Sequence, residues 1–134
     1  MQGDLPSERT GLVLWITGLS GAGKSTLAAL VVDQLRATCP NVVLLDGDAF
    51  RALMGDGLGH TPDARLENAF RLARFARHLS RQGLIVVCAT MSLFPEVWRW
   101  NRSNLPRYFE VYLRVPFGVL EKRDPKGLYG LARN

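Results

Sequence analysis

Gly18-Leu19-Ser20-Gly21-Ala22-Gly23-Lys24-Ser25, with Thr26 behind it, is the stretch from which the rest of the chain is read. It fits the phosphate-binding pattern G-x-x-x-x-G-K-[ST] without a mismatch, with an apolar run before it (residues 12–17) and a helix-forming run after it. Glycines at 18, 21 and 23 permit positive φ values, so that successive backbone N–H groups point into one concavity and hold phosphate oxygens. Lys24 adds a point charge for the β- and γ-phosphates, and Ser25 offers a hydroxyl to Mg²⁺. The helix opening there turns its positive dipole end to the same place. The stretch reads as a cradle for ATP or GTP, formed by residues 18–26.

A chain of 134 residues has room for one domain, and 47% apolar composition suffices for an ordinary core. The net charge of +5 and pI near 9.8 come mainly from arginines spread along the chain rather than gathered in a tail. That distribution argues against nucleic acid as the first partner and suits clefts that attract small polyanions. Cys39 and Cys88 have neither metal nor disulfide spacing, and read as reduced thiols of a cytoplasmic protein. Residues 1–10 are polar, read as a loosely held arm, and no run approaches a membrane span.

Apolar runs at residues 12–16, 41–45 and 84–88 predict buried parallel strands, and the alternating run 109–115 a fourth. Between them, helical spacing predicts a helix over 24–37, with Leu27, Leu30, Val31 and Leu35 against the sheet, and another over about 64–82. Arg71, Arg74, Arg77 and Arg81 fall largely on the outer faces of the second and read as a solvated surface. A short helix or structured loop is expected over 95–102 and a short helix over 116–123, with loops over 56–63 and 124–127. Alternation of strands and helices predicts an α/β, doubly wound parallel sheet of the P-loop nucleoside-triphosphate hydrolase type. The second strand delivers Asp46-Gly47-Asp48 to its carboxyl end, where open α/β sheets bind ligands.

From about residue 13 onward the chain resembles the adenylylsulfate kinase (APS kinase) family of P-loop kinases. The resemblance is carried by GLSGAGKST (18–26), LDGDAFR (45–51), RLEN (65–68), GLIVV (83–87), FEVY (109–112) and KRDPKGLY (122–129). The first motif is shared with many P-loop proteins, whereas DGD-x-x-R and RDPKGLY are far more specific. The resemblance implies Mg²⁺-dependent transfer of the ATP γ-phosphoryl group to the 3′-hydroxyl of adenosine 5′-phosphosulfate (APS) in sulfate assimilation. It further implies that Arg51, Arg65, Asn68 and Lys126 hold the second nucleotide, with Met91 beside them and Arg133 in the position of a lid arginine. Arginine suits such work because its planar fork pairs with phosphate or sulfate oxygens in bidentate fashion.

A hydroxyl nucleophile benefits from a carboxylate that accepts its proton. Asp46 and Asp48, on the strand expected beside the first, both qualify. Asp48 is taken as the base, and Asp46 as a ligand or outer holder of Mg²⁺ with Ser25, the order being reversible. Ser92 matches a family serine described as a phosphorylated intermediate; in-line transfer needs none, so Ser92 is read as a substrate-facing hydroxyl. Trp98 and Trp100 have the spacing of core or interface aromatics more than of a base-stacking pair.

The chain departs from the family at His60-Thr61, where Phe-Ser is usual, at Ala64 and Phe70, and at Met91-Ser92-Leu93 in place of Ile-Ser-Pro. Intact phosphate machinery with an altered acceptor wall is the pattern of a kinase acting on another nucleotide-linked hydroxyl. Beyond RDPKGLY the family continues into the rest of a lid, a fifth strand and a closing helix, which this sequence does not contain. A nucleotide-binding module without turnover is therefore a third reading, and the fourth strand is expected to be a sheet edge that a second copy or another chain would cover.

Overall fold

The computed structural model describes residues 10–55 and 59–123. The expected arm at the N-terminus, Lys126 and Arg133 lie outside the described residues.

Four strands, β1 (Leu12–Gly18), β2 (Val42–Asp46), β3 (Ile85–Thr90) and β4 (Tyr108–Leu113), pair in parallel in the order β2-β3-β1-β4. Side chains alternate across the sheet, so each face feeds its own core. Val13, Trp15, Val86 and Cys88 face α3 (Pro62–Ser80) and α4 (Pro95–Asn104), meeting Ala69, Leu72, Ala73, Ala76 and Val97. Ile16, Val42, Val87 and Ala89 face the other way, onto Ala28 and Val32 of α1 (Lys24–Arg36). With helices on both faces, the sheet is doubly wound, and continuous apolar strands are its expected signature. α5 (Phe117–Arg123) follows β4, which forms an edge among the described residues and leaves Phe109 and Tyr112 more than half exposed.

Local chemistry sets the helix ends. Thr61 caps α3 by accepting the Ala64 N–H at 3.1 Å, and Pro62, at the first helical position, has no N–H to lose. Arg77 and His78 occupy its last turn, where cations suit the helix dipole.

Three expectations are corrected. β2 does not lie beside β1: β3 is inserted between them, with Leu14 and Leu44 both registered on Val87. The α1 crossover carries the chain past β3 before it returns as β2. Leu30 does not pack on the sheet, being 59% exposed and facing a cavity, while Ala28 and Val32 fill that role. Residues 47–54, for which no element was expected, form α2 (Gly47–Met54). Of the arginines on α3, Arg71 and Arg74 are exposed and paired with Glu67, Arg81 is exposed, and the half-buried Arg77 donates to the Asn104 carbonyl at 3.2 Å.

Candidate active site

β1, β2 and β3 all end at one edge of the sheet, and a cavity of about 1260 Å³ opens there. Its floor is the loop that links β1 to α1. Gly21 and Gly23 take φ values of 85° and 100°, which disfavour any residue with a Cβ, and Gly23 serves as the N-cap of α1. No side chain among the described residues caps that helix, and the residues of its first turn line the cavity. Ser20, Gly21, Ala22, Gly23, Lys24, Ser25 and Thr26 all line it, while Leu19 contributes its carbonyl, which accepts from Lys24 Nζ at 3.0 Å. Gly18 closes against β4, its Cα so near the Leu113 carbonyl that an added Cβ would lie 2.7 Å from that oxygen.

Across from the loop stands Asp46. Its Oδ1 accepts the backbone N–H groups of Asp48 at 2.9 Å and Ala49 at 3.1 Å, capping α2, and its Oδ2 accepts Ser25 Oγ at 3.3 Å. One carboxylate thus ties the start of α1 to the start of α2. Asp48, exposed in the first turn of α2, and the half-buried Arg51 line the cavity. The oxygens of Ser25 and Asp46 are hard donors of the type Mg²⁺ takes, and no group of three or more His, Cys, Asp or Glu side chains suited to a metal occurs among the described residues. That sparse set fits a cation held chiefly by water and substrate phosphates.

The opposite wall comes from α3 and the segment after β3. Arg65, Asn68, Met91 and Ser92 line it together with His60, whose carbonyl accepts Arg65 Nε at 3.2 Å. Asn68 Oδ1 and Ser92 Oγ are buried and have no hydrogen-bond partner among the described residues. Buried polar atoms without partners are uncommon in native folds, and these two border a cavity. Of the departures noted in the sequence, only His60 and Met91 reach the cavity, beside the family-matching Ser92; Ala64 is buried and Phe70 packs against the α3 core. Trp98 does not line it, and donates instead from Nε1 to the Ser92 carbonyl at 3.0 Å; Trp100 packs on the core.

One contact was not foreseen. Arg123, at the end of α5, donates from Nη1 to the Gly21 carbonyl at 2.8 Å and lines the cavity. Its only trace in the sequence is its place in KRDPKGLY, three residues before Lys126, the lysine assigned a role by resemblance. Cys88 takes no part: it is fully buried, and burial pushes its thiol far above the ordinary range. No helix among the described residues is long and apolar enough to cross a membrane.

A glycine loop opening a helix at the carboxyl end of a parallel sheet, with a carboxylate bonded to the helix's first hydroxyl, defines a P-loop kinase fold. The profile of the adenylylsulphate kinase family matches residues 10–134, and the chain belongs to that family. It is 45% identical over 120 residues to the adenylyl-sulfate kinase of Deinococcus deserti, an alignment covering 90% of this chain and 66% of that protein. It is 36% identical over 122 residues to the cytidine diphosphoramidate kinase of Campylobacter jejuni, covering 91% of this chain and 71% of that one. Among solved structures, the Mycobacterium tuberculosis APS kinase CysC in complex with AMPPNP and APS superposes with a TM-score of 0.84 at 36% identity, over 92% of this chain and 74% of that one. The chain therefore spans only part of the length of each relative.

Proposed function

We propose that this chain transfers the γ-phosphoryl group of ATP to the 3′-hydroxyl of adenosine 5′-phosphosulfate, forming 3′-phosphoadenosine 5′-phosphosulfate. The observation that carries the reading is the single cavity in which the phosphate loop faces Asp48 on one side and Arg51, Arg65 and Asn68 on another. Loop amides and Lys24 bind the triphosphate, Lys24 exchanging its bond to the Leu19 carbonyl for a phosphate oxygen. Ser25 and Asp46 would hold Mg²⁺, which would supply neutralisation of the phosphate charge. Asp48 accepts the proton of the attacking hydroxyl, and the arginines orient the acceptor's anionic groups. Ser92 contacts the acceptor as a hydroxyl, with no covalent phosphoserine required.

A coupled assay with ATP, Mg²⁺ and APS tests the proposal. Turnover is expected, and Asp48→Asn lowers kcat by about 10²-fold or more while leaving ATP affinity nearly unchanged. A wild-type chain that binds ATP and does not phosphorylate APS removes the reading.

A second reading has its own support: His60 lies in the acceptor wall, and a relative of similar coverage is named for a cytidine diphosphoramidate acceptor. On that reading the acceptor is a nucleoside diphosphate derivative. A thermal-shift screen separates the two, since greater stabilisation by APS than by cytidine diphosphate derivatives excludes it.

A further inference from the structure

Met91 and Ser92 line the acceptor wall yet belong to no helix or strand, so no regular backbone ladder holds them. What holds them is a set of bonds to one residue. Thr17 Oγ1 donates to the Ser92 carbonyl at 3.1 Å and accepts the Ser92 N–H, also at 3.1 Å. Trp98 Nε1 donates to the same carbonyl at 3.0 Å. Both backbone groups of Ser92 are thereby satisfied by side chains, and both lone pairs of its carbonyl are used. Thr17 is fully buried and Ser92 is 1% exposed, so water is no alternative partner for either.

The location of Thr17 gives this arrangement its consequence. It immediately precedes Gly18, the first residue of the phosphate loop, so one buried hydroxyl joins the root of the donor site to the wall of the acceptor site. Trp98, from the second turn of α4, fixes that wall from the other side. Among the described residues, the only polar atom of Ser92 without a partner is Oγ, on a residue that borders the cavity.

We propose that Thr17 and Trp98 are positioning residues: together they clamp the Ser92 backbone and so set the distance and angle between the bound acceptor and the phosphate loop. The inference rests on the kinase reading above but not on which acceptor is used. Phosphoryl transfer depends on alignment, and small displacements of one reactant cost large factors in rate. Removing the clamp therefore acts on the acceptor and spares ATP.

The test compares Thr17→Val, Trp98→Phe and Thr17→Ser in the full chain, with APS and a cytidine diphosphate derivative both offered and scored on whichever turns over. Thr17→Val is expected to lower kcat/KM for the acceptor by about 10- to 100-fold with ATP affinity within about twofold, and Trp98→Phe to act in the same direction by several-fold. Thr17→Ser, which keeps the hydroxyl, restores acceptor kinetics to within about threefold. Hydrogen exchange adds a readout independent of any acceptor: the Ser92 amide is expected to exchange at least tenfold faster in Thr17→Val while β3 stays protected. Trp98→Phe carries the same comparison if Thr17→Val folds poorly. Equal losses for ATP and acceptor, or Ser92 exchange unchanged in Thr17→Val, overturn the clamp. Absence of APS turnover in the wild type counts against the proposed acceptor alone, since the exchange result still decides the clamp.

Discussion

Ser25 Oγ lies 3.3 Å from Asp46 Oδ2 although a whole strand, β3, separates β1, which leads into Ser25, from β2, which ends on Asp46. The α1 crossover spans that strand, and Asp46 meets the serine while its other oxygen caps α2 through Asp48 and Ala49. One side chain therefore has a structural role and a proposed metal role, and two substitutions separate them. Asn is as good an N-cap as Asp, so Asp46→Asn is expected to keep thermal stability near wild type, whereas Asp46→Ala loses about 1 kcal/mol. Both remove the charge facing Ser25, and both are expected to raise the Mg²⁺ concentration for half-maximal turnover roughly tenfold or more. Thermal melts and Mg²⁺ titrations of the two variants check this; an unaltered Mg²⁺ requirement in Asp46→Asn removes Asp46 from the cation site.

Arg123 reaches the Gly21 carbonyl from a helix at the far end of the described chain. Gly21 lies in the positive-φ part of the loop, so the contact restrains the cradle and brings a guanidinium with further N–H donors beside it. Arg123→Gln is expected to weaken ATP binding about 3- to 10-fold, the range for the net worth of one ordinary hydrogen bond, as suits an exposed contact. Arg123→Lys recovers only part, since an ammonium lacks the fork. Calorimetry with a non-hydrolysable ATP analogue reads the effect, and wild-type affinity in Arg123→Gln shows that the loop holds its shape without it.

Gly47 has an ordinary backbone conformation, so the reason it is glycine must lie in its surroundings. A Cβ there would stand 2.8 Å from Thr90 Oγ1 and 3.0 Å from Thr90 Cβ, both on a buried residue at the end of β3. Gly47→Ala is expected to destabilise by about 1–3 kcal/mol through overpacking and to tilt α2, which carries Asp48 and Arg51. Thr90→Ala in the same chain removes the closer contact, to Oγ1, and recovers part of the loss, a coupling that a double-mutant cycle in urea measures directly. Simple additivity of the two substitutions contradicts the steric account.

The contrast between what was readable in the sequence and what was not follows the range of the interactions. The phosphate loop is built from consecutive residues, and the identities at 18–25 were enough to place it at the head of a helix. The carbonyl end of β2 was equally legible, because an apolar run that stops on Asp46-Gly47-Asp48 has few other uses. Strand order was not, since insertion of β3 depends on where the helical crossovers pack. α2 was hidden by its own first residue, a glycine poor in helix propensity that the Thr90 contact explains. Leu30 kept a core-like spacing while facing the cavity, which periodicity cannot distinguish from packing. The bonds from Trp98 to Ser92 and from Arg123 to Gly21 are tertiary, and no pattern along the chain encodes them.

The fully buried Cys88 and the half-buried Tyr108 are expected to lower the stability of the fold at alkaline pH. Burial raises the pKa of Cys88 well above its ordinary 9.0, and burial, reinforced by Glu110 and opposed by Asn101, raises that of Tyr108 above its ordinary 10.0. The folded chain keeps both neutral, whereas the unfolded chain releases the thiol proton above about pH 9 and the phenolic proton above about pH 10. Above those values the unfolded state binds fewer protons than the native state, so stability falls as pH rises, by up to about 1.4 kcal/mol per pH unit for each group. Below pH 9 their contribution is fully present. Urea melts between about pH 8 and 11 are expected to show this decline, with a shallower slope above pH 10 in Tyr108→Phe and above pH 9 in Cys88→Ala, each compared with its own stability at the lower end. Tyr108→Phe also strips the partner from Asn101 Nδ2 at 3.2 Å, which lowers stability equally at every pH and leaves the slope as the diagnostic. An identical slope in wild type and both variants means that neither group is held neutral by the fold.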